Sequence, residues 1–160
     1  MEALIADIDA DMKLLKREVE SVKRKLARLK TEKDHENIDS HHKAVAASLH
    51  SLYSGYENII ERIIRAIDGD APVGRQYHIL LLKRAMNPIE GVRPALIAAE
   101  TFGLLDELRT YRHKFRNIYL YVLSPERILT LAQTGMRSFD SFERDIMAFK
   151  DFLLSKPKER

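Results

Sequence analysis

The chain contains no cysteine among its 160 residues. This absence excludes disulfide bonds, a cysteine nucleophile and thiolate metal sites together, so packing alone must stabilise the fold. Glycine and proline are also scarce, at 6 and 5 residues, whereas 45% of the residues are hydrophobic and 32% are charged. Such a composition is typical of a helix-rich globular protein, not of a sheet protein or a disordered chain.

Long apolar runs are absent as well, since no stretch approaches the roughly 20 apolar residues that a membrane-spanning helix needs. The first residues, MEALIADIDADMK, are acidic and amphipathic, unlike a signal peptide. We therefore expect a cytoplasmic protein that does not bind membranes. Since single cores usually span about 100 to 200 residues, we expect one helical domain over residues 1–155, followed by a disordered basic tail at residues 156–160.

The hydrophobic pattern predicts an all-α, up-and-down bundle of four long helices plus short ones. In the first segment, apolar residues recur at alternating steps of three and four, which predicts a long N-terminal heptad helix. They are Ile5, Ile8, Met12, Leu15, Val19, Val22, Leu26 and Leu29. A helix of this kind would be roughly 42 Å long, more than a compact domain of this size needs. We therefore expect its far end to project or to pair.

Turn and cap residues divide the rest of the chain into further helices. A second helix is predicted over residues 40–68, with Asp39 or Ser40 as its N-cap and Gly69 at its end. A shorter helix over residues 75–86 follows. A fourth begins between residues 94 and 101, and its buried side should carry Leu104, Leu105, Leu108, Tyr111, Phe115 and Ile118. Ser124-Pro125 reads as an N-cap with proline at the first helical position, and the last helix would break at Gly135.

One stretch of the fourth helix, RTYRHKFRNIYLY at residues 109–121, carries five Arg, Lys or His residues and no acidic residue. The formal net charge of the chain is only +3, so this local concentration matters more than the sum. On a helix, His113 and Asn117 would lie one turn apart beside a single stripe. That stripe consists of Arg109, Arg112, Arg116 and Tyr119.

These residue types suit the binding and activation of a phosphate, because Arg grips it bidentately and His moves protons near neutral pH. The plainer interpretation is a basic, solvent-facing helix. The lack of any acid between Arg109 and Ser124 weakens that interpretation, since exposed helices usually intersperse charges of both signs. We therefore expect something anionic nearby.

The order Arg112, His113, three residues, Asn117, one residue, Tyr119 resembles the signature of the HEPN ribonuclease superfamily. That signature is an Arg followed by a polar residue, then a His at a spacing of four to six, and in HepT toxins a Tyr two residues further on. The similarity extends over roughly residues 49–128. It includes SLYSGYENIIERIIRAIDGDAPVGRQYHILLL and GVRPALIAAETFGLLDELRTYRHKFRNIYLYVLSPERI, in content and in order.

The resemblance implies a dimeric, HEPN-like helical bundle that acts as a metal-independent endoribonuclease toxin without a cofactor. The motif helices of two protomers would line one cleft, where Arg112 stabilises the phosphate and the motif His acts as general base or acid. Arg109, Lys114 and Arg116 would contact the RNA substrate. The implied partner is a minimal nucleotidyltransferase antitoxin, which would transfer AMP to Tyr119 and so block the site.

The sequence departs from that signature where the His is required, because position 117 is Asn. An amide cannot carry a proton between reacting groups, and loss of an acid/base group costs about 10² to 10⁴ in rate. The chain is then a disabled variant, a natural inactive member, or an enzyme in which His113 does the work. The alternative function is a non-catalytic helical adaptor that binds RNA, nucleotide or a partner protein, and a purely structural coiled-coil dimeriser is a third possibility.

The remaining histidines point to packing more than to chemistry. His35, His41, His42 and His50 lie close together in the sequence, but neither carboxylates at ligand spacing nor cysteines accompany them, so we expect no metal site. His78, next to Tyr77, falls inside the block of resemblance. We expect it near the cleft or core, as a hydrogen-bonded packing residue.

Overall fold

The computed structural model describes residues 1–116 and 124–156, with backbone alone at residues 115 and 116. Residues 117–123 lie outside the described part, as do residues 157–160 of the predicted tail. The described residues form helices and no named strand, which confirms the predicted all-α bundle. Four of these helices are long, as predicted, and the short helices that we expected are represented by one. The helices are α1 (Glu2–Thr31), α2 (His35–Asp68), α3 (Tyr77–Met86), α4 (Ala99–Arg116) and α5 (Pro125–Ser155).

The long N-terminal heptad helix is confirmed as α1, with Ile8, Leu15, Val19 and Val22 buried. It packs along α2 and more lightly on α5. Its far end does not project, because Leu26 and Leu29 pack against the core and Lys25 Nζ donates to Ser48 Oγ of α2. The pairing that we expected for this end is therefore made within the chain.

The start of α2 differs from the prediction. The helix begins at His35, and Asp34 caps it by accepting hydrogen bonds from the backbone N–H of Glu36 (2.9 Å) and Asn37 (3.1 Å). Asp39 and Ser40 lie inside the helix, so the prediction that one of them is the N-cap is wrong. Asp34, Asp39 and Ser40 can all cap a helix. Asp34 comes first along the chain, and its carboxylate accepts from backbone N–H groups of the first turn that have no partner within the helix.

The start of α5 follows the prediction, because the Ser124 side chain accepts from the Arg127 N–H and Pro125 occupies the first turn. The predicted break at Gly135 is wrong, since α5 is continuous to Ser155. Gly135 instead lies where α5 meets α2. A Cβ at this position would stand 2.8 Å from Leu49 Cδ2 and 3.2 Å from Leu52 Cδ2.

The contact between α2 and α5 also contains a buried polar chain. Tyr56 Oη lies 2.9 Å from Ser138 Oγ, and Ser138 in turn donates to the Gly135 carbonyl at 2.7 Å. The Tyr56 ring meets Phe142 edge-on, with ring centroids 4.9 Å apart. Aromatic packing and a satisfied hydroxyl together hold the two long helices at close range.

The connector between α3 and α4 is held by a buried ion pair. The Arg93 and Asp68 side chains are 0% and 1% exposed. Arg93 donates to both carboxylate oxygens of Asp68, at 2.7 and 2.8 Å, and its other N–H groups reach the carbonyls of Arg84, Asn87 and Pro94 at 3.1 Å. Each donor of the guanidinium therefore has an acceptor, which is the condition for burying it.

The N-terminus of α4 is fixed to α5 by Asp145. Its carboxylate accepts from the Ala98 N–H at 2.8 Å and from the Thr101 hydroxyl at 2.5 Å. Leu105 and Leu108 of α4 are buried as predicted. With its start and its apolar face both fixed, α4 directs the next face of the helix, which carries Arg109 and Arg112, towards α2.

Replacing Arg93 with Met should destabilise the fold by about 3 kcal/mol, because Asp68 would stay buried without its bidentate partner. The loss falls at the low end of the range for such pairs, since Arg84 still lies 3.3 Å from Asp68. Urea unfolding at fixed protein concentration measures it. The control is Arg144→Met at a pair that is 63% exposed on both sides, where less than about 1 kcal/mol is expected. Equal losses would contradict the role of Arg93.

Two glycine substitutions should change stability in opposite directions. Gly103→Ala lies within α4, and the new Cβ would meet no described residue beyond its chain neighbours and its own helix backbone within 4 Å. It should therefore stabilise the fold by about 0.5 to 1 kcal/mol through helix propensity. Gly135→Ala places the same methyl against buried leucines, and overpacking of about 1 to 3 kcal/mol should outweigh that gain. Thermal unfolding of both variants tests this, and a stabilised Gly135→Ala would show that α5 can retreat from α2 at no cost.

Candidate functional site

The candidate site lies where α4 faces α2 and α3. Arg112 of α4 is half-buried, with 25% of its side chain exposed, and its Nε is 4.0 Å from Oε2 of Glu57. That Nε is shielded from solvent, yet it makes no hydrogen bond to any residue that the structure describes. The guanidinium is therefore held close to a carboxylate while retaining an unused donor, a state that favours an additional anionic acceptor.

Glu57 is the centre of the site. It lies on α2 with 8% of its side chain exposed, and its Oε1 is 2.5 Å from Nδ1 of His78 on α3. Because a carboxylate only accepts hydrogen bonds, Nδ1 is the donor in this pair. A neutral His78 ring then has its lone pair at Nε2. Side chains from α2, α3 and α4 thus converge on one buried carboxylate.

Tyr53 lies one helical turn before Glu57. Its side chain is 0% exposed, and its hydroxyl has no hydrogen-bond partner within residues 1–116 and 124–156. Burial, followed by the negative charge of Glu57, raises the pKa of Tyr53 above its ordinary value. The phenol consequently stays neutral beside the carboxylate and adds no charge to the site.

A second tyrosine positions the start of α3. The Tyr77 hydroxyl donates to Glu61 Oε2 at 2.5 Å, and Arg65 Nη2 lies 2.7 Å from the other oxygen of Glu61. The Tyr77 hydrogen bond, and then Arg65, lower the pKa of Glu61, whereas burial and Glu61 raise the pKa of Tyr77. The Tyr77 ring also packs edge-on against the His78 ring, with ring centroids 5.1 Å apart. This contact limits how far the imidazole can rotate.

Another face of α4 packs against α5 through Tyr111. The Arg127 guanidinium lies 4.5 Å from the centre of the Tyr111 ring, and Lys114 Nζ lies 5.4 Å from it. Glu107 accepts from Arg127 at 3.4 Å and from Thr134 at 3.2 Å. This arrangement holds the C-terminal half of α4 against the start of α5, and the cation–π contacts favour keeping the ring covered.

The structure brings only part of the predicted site together. Arg109 and Arg112 are half-buried rather than fully exposed, and Arg109 Nε donates to Asp106 at 2.7 Å. His113 and Lys114 are exposed on the same helix. The side chain of Arg116 is not described, and Asn117 and Tyr119 lie outside the described residues. Their roles, and those of Arg112 and His113, stay predictions.

We did not identify Glu57 from the sequence, although its position in the hydrophobic pattern of α2 is unusual. Glu57 stands four residues after Tyr53 and three before Ile60, on the apolar face of α2, where a charged residue is out of place. Residues 109–121 contain no acidic residue in sequence, but acidic residues from elsewhere in the chain lie next to two of their arginines in the structure. Asp106 from the preceding turn and Glu57 from α2 supply the negative charge that the local sequence lacks.

The histidines of the first half of α2 form separate, local contacts. His41 Nε2 is 3.7 Å from Glu32, and His42 Nδ1 is 2.9 Å from the Ile38 carbonyl. Within the described ranges, no group of three or more His, Asp or Glu residues is placed to hold a metal ion. No helix in that part of the chain is both long enough and apolar enough to cross a membrane.

Comparison with protein-family models finds a match over most of the chain. A family model described as HepT-like protein covers residues 44–153, from the third turn of α2 almost to the end of α5. The matched span includes Glu57, His78 and Arg112, and excludes the whole of α1 and the predicted tail. Neither the curated proteins nor the solved structures contain a match to the chain.

Replacing Tyr77 with Phe should raise the pKa of Glu61 towards its ordinary value and destabilise the fold by about 1 kcal/mol at pH 7. The pKa of Glu61 is lower in the folded protein than its ordinary value of 4.5, which applies to the unfolded chain. The ionised carboxylate therefore stabilises the fold above pH 4.5. This contribution is lost as the pH falls through the lowered, folded-state pKa. The difference between the native chain and Tyr77→Phe should therefore shrink below pH 4. Urea unfolding at pH 7 and pH 3 measures it.

The matched control for this substitution is Tyr53→Phe. It removes a buried hydroxyl that has no partner among the described residues, so we expect a neutral or slightly favourable change. If Tyr53→Phe cost as much as Tyr77→Phe, with the same pH dependence, the Glu61 hydrogen bond would not be the cause of either effect.

Proposed function

The chain belongs to the family of HepT-like proteins, and from this premise we propose that it is the toxin component of a toxin–antitoxin pair. Its activity would be metal-independent endoribonuclease cleavage of the HEPN type, in a cleft formed by two copies of the chain. The observation that carries this proposal is Arg112. Its guanidinium is half-buried, lies inside the family match and keeps a hydrogen-bond donor without an acceptor among the described residues.

The RNA backbone would supply the hydrogen-bond acceptor that Arg112 Nε lacks among the described residues. A phosphate accepts two parallel hydrogen bonds from a guanidinium, and a low-dielectric position strengthens them. Arg109, Lys114 and Arg116 would add phosphate contacts along the same helix, with binding that weakens as salt rises. Pairing of two α4 helices across a homodimer would double this positive charge and give the cleft its two walls.

The antitoxin would be a nucleotidyltransferase that transfers AMP from ATP to the Tyr119 oxygen and releases pyrophosphate. The new phosphodiester would place negative charge within reach of Arg112 and Arg116. These side chains would then hold the adduct in place of RNA, so the modification would inhibit cleavage by occupying the site.

Asn117 sets the level of activity. An amide can hydrogen-bond a phosphate but cannot take or give a proton, so we propose that the native chain is impaired by about 10² to 10⁴ relative to a chain with the motif His. The same residue favours one alternative. A HEPN-type helical adaptor that binds RNA, nucleotide or a partner protein, without chemistry, would need no acid or base at position 117.

The decisive comparison is between the native chain and Asn117→His, assayed for RNA cleavage in the presence of a metal chelator and for growth arrest. We expect Asn117→His to cut about 10² to 10⁴ times faster and to arrest growth. Adding Arg112→Ala to it should abolish cleavage. Arg17→Ala is the control, because Arg17 is an exposed basic residue on α1, and the described part of α1 makes no contact with α4.

Two outcomes would contradict the proposed ribonuclease site. If the native chain and Asn117→His bind RNA equally and neither cuts it, the site is a binding surface and the adaptor takes the place of the nuclease. If Arg112→Ala and Arg17→Ala weaken binding to the same extent, recognition is diffuse electrostatic attraction spread over the whole basic surface.

A further inference from the structure

We propose that His78 is the proton-transfer group of the native site, held by Glu57, and that it carries the cleavage that remains when position 117 is Asn. This inference rests on the proposed ribonuclease function and adds a catalytic residue to it. Its basis is the pairing of a partly exposed imidazole with a buried carboxylate, next to the arginine of the candidate site.

The pair has the geometry of an oriented base. Nδ1 of His78 donates to Glu57 Oε1 at 2.5 Å, and the two side chains are 32% and 8% exposed. The buried carboxylate fixes one side of the ring and selects the tautomer with the proton on Nδ1. The other nitrogen, Nε2, is then a proton acceptor. A base oriented by a third group in this way recurs in enzymes that move protons near neutral pH.

Glu57 also places the base beside the phosphate-binding group. Its second oxygen lies 4.0 Å from Arg112 Nε, so His78 and Arg112 flank one carboxylate from opposite oxygens. A phosphate bound by Arg112 would therefore lie close to the imidazole. The charged groups around the ring are Glu57 from α2, Arg112 from α4, and Glu61 of α2, which is bonded to the neighbouring Tyr77.

Three histidines of α2 are less well placed for this role. His41 contacts Glu32 before α2, and His42 is bonded to the Ile38 carbonyl. His50 lines the groove between α1 and α2. His78, in contrast, is paired with Glu57, the carboxylate that also faces Arg112.

The proposed step is attack by the RNA 2′-hydroxyl on the adjacent phosphorus. The 2′-oxygen gives its proton to Nε2 of His78 and forms a new bond to phosphorus, while the bond from phosphorus to the 5′-oxygen breaks. The 5′-oxygen leaves as a hydroxyl after taking a proton from water. The products are a 2′,3′-cyclic phosphate and a 5′-hydroxyl end, and the His78 imidazolium returns its proton to solvent.

The test measures the residual RNA cleavage of the native chain, without metal, against His78→Gln and Glu57→Gln. His41→Gln is the matched control, because His41 also lies near a carboxylate, Glu32, but at the start of α2 and not beside Glu57. We expect His78→Gln to lower the rate about 10²-fold and to change the dependence of the rate on pH, while His41→Gln changes neither. Glu57→Gln should lower the rate without changing the RNA affinity as much as Arg112→Ala does.

A second readout does not depend on activity. Nitrogen NMR of the labelled imidazole should find the proton on Nδ1 in the native chain, and a shift in that population in Glu57→Gln. Chemical shifts of His78 should also move when a short, non-cleavable RNA with a 2′-deoxy substitution binds. A merely structural His78 would give neither the pH effect on rate nor the shift with RNA.

The outcomes separate the two proposals. If Asn117→His cuts RNA and His78→Gln leaves the native residual rate unchanged, or if the native chain has no residual rate, the assignment of His78 is overturned and the ribonuclease proposal stands. If neither the native chain nor Asn117→His cuts RNA, both proposals fail. His78 is supported as the replacement base if His78→Gln lowers the cleavage rate of the native chain and lowers the rate of the Asn117→His chain by a smaller factor.

Discussion

The ion pair between Arg93 and Asp68 determines how the second half of the bundle is arranged. It joins the C-terminus of α2 to the connector that leads into α4, and the guanidinium satisfies the carbonyls of that connector as well. Burying two charges is costly unless every donor and acceptor is used, so this pair tolerates little displacement. The connector can therefore take few paths, and α4 can begin in few places.

The candidate site follows from that placement. With α4 docked on α2 and α5, Arg112 faces Glu57, and the short helix α3 brings His78 to the other oxygen of the same carboxylate. A buried Glu beside an arginine with an unfilled donor adds little to stability. Its value is positional, because one carboxylate sets the orientation of two side chains that the proposed chemistry needs together.

The sequence predicted best what depends on neighbours along the chain. The heptad stripe of α1, the N-cap of Ser124 with Pro125 and the buried leucines of α4 are all periodic or local features, and the structure confirms them. The predicted helix break at Gly135 is wrong because the role of this glycine depends on a contact with residues that are distant in sequence. A glycine in a helix can mark a break or a close helix contact, and only the position of α2 shows that here it is a contact.

By itself, the sequence determined the helical class, the bundle of long helices and the resemblance that the family match supports, because these depend on periodicity and on the order of residues along the chain. The basic character of residues 109–116 was equally legible. Only the tertiary structure decided which acids meet those bases. Residues 57, 78 and 112 are far apart in sequence, and their convergence depends on how three helices dock, which a one-dimensional pattern of charges does not encode.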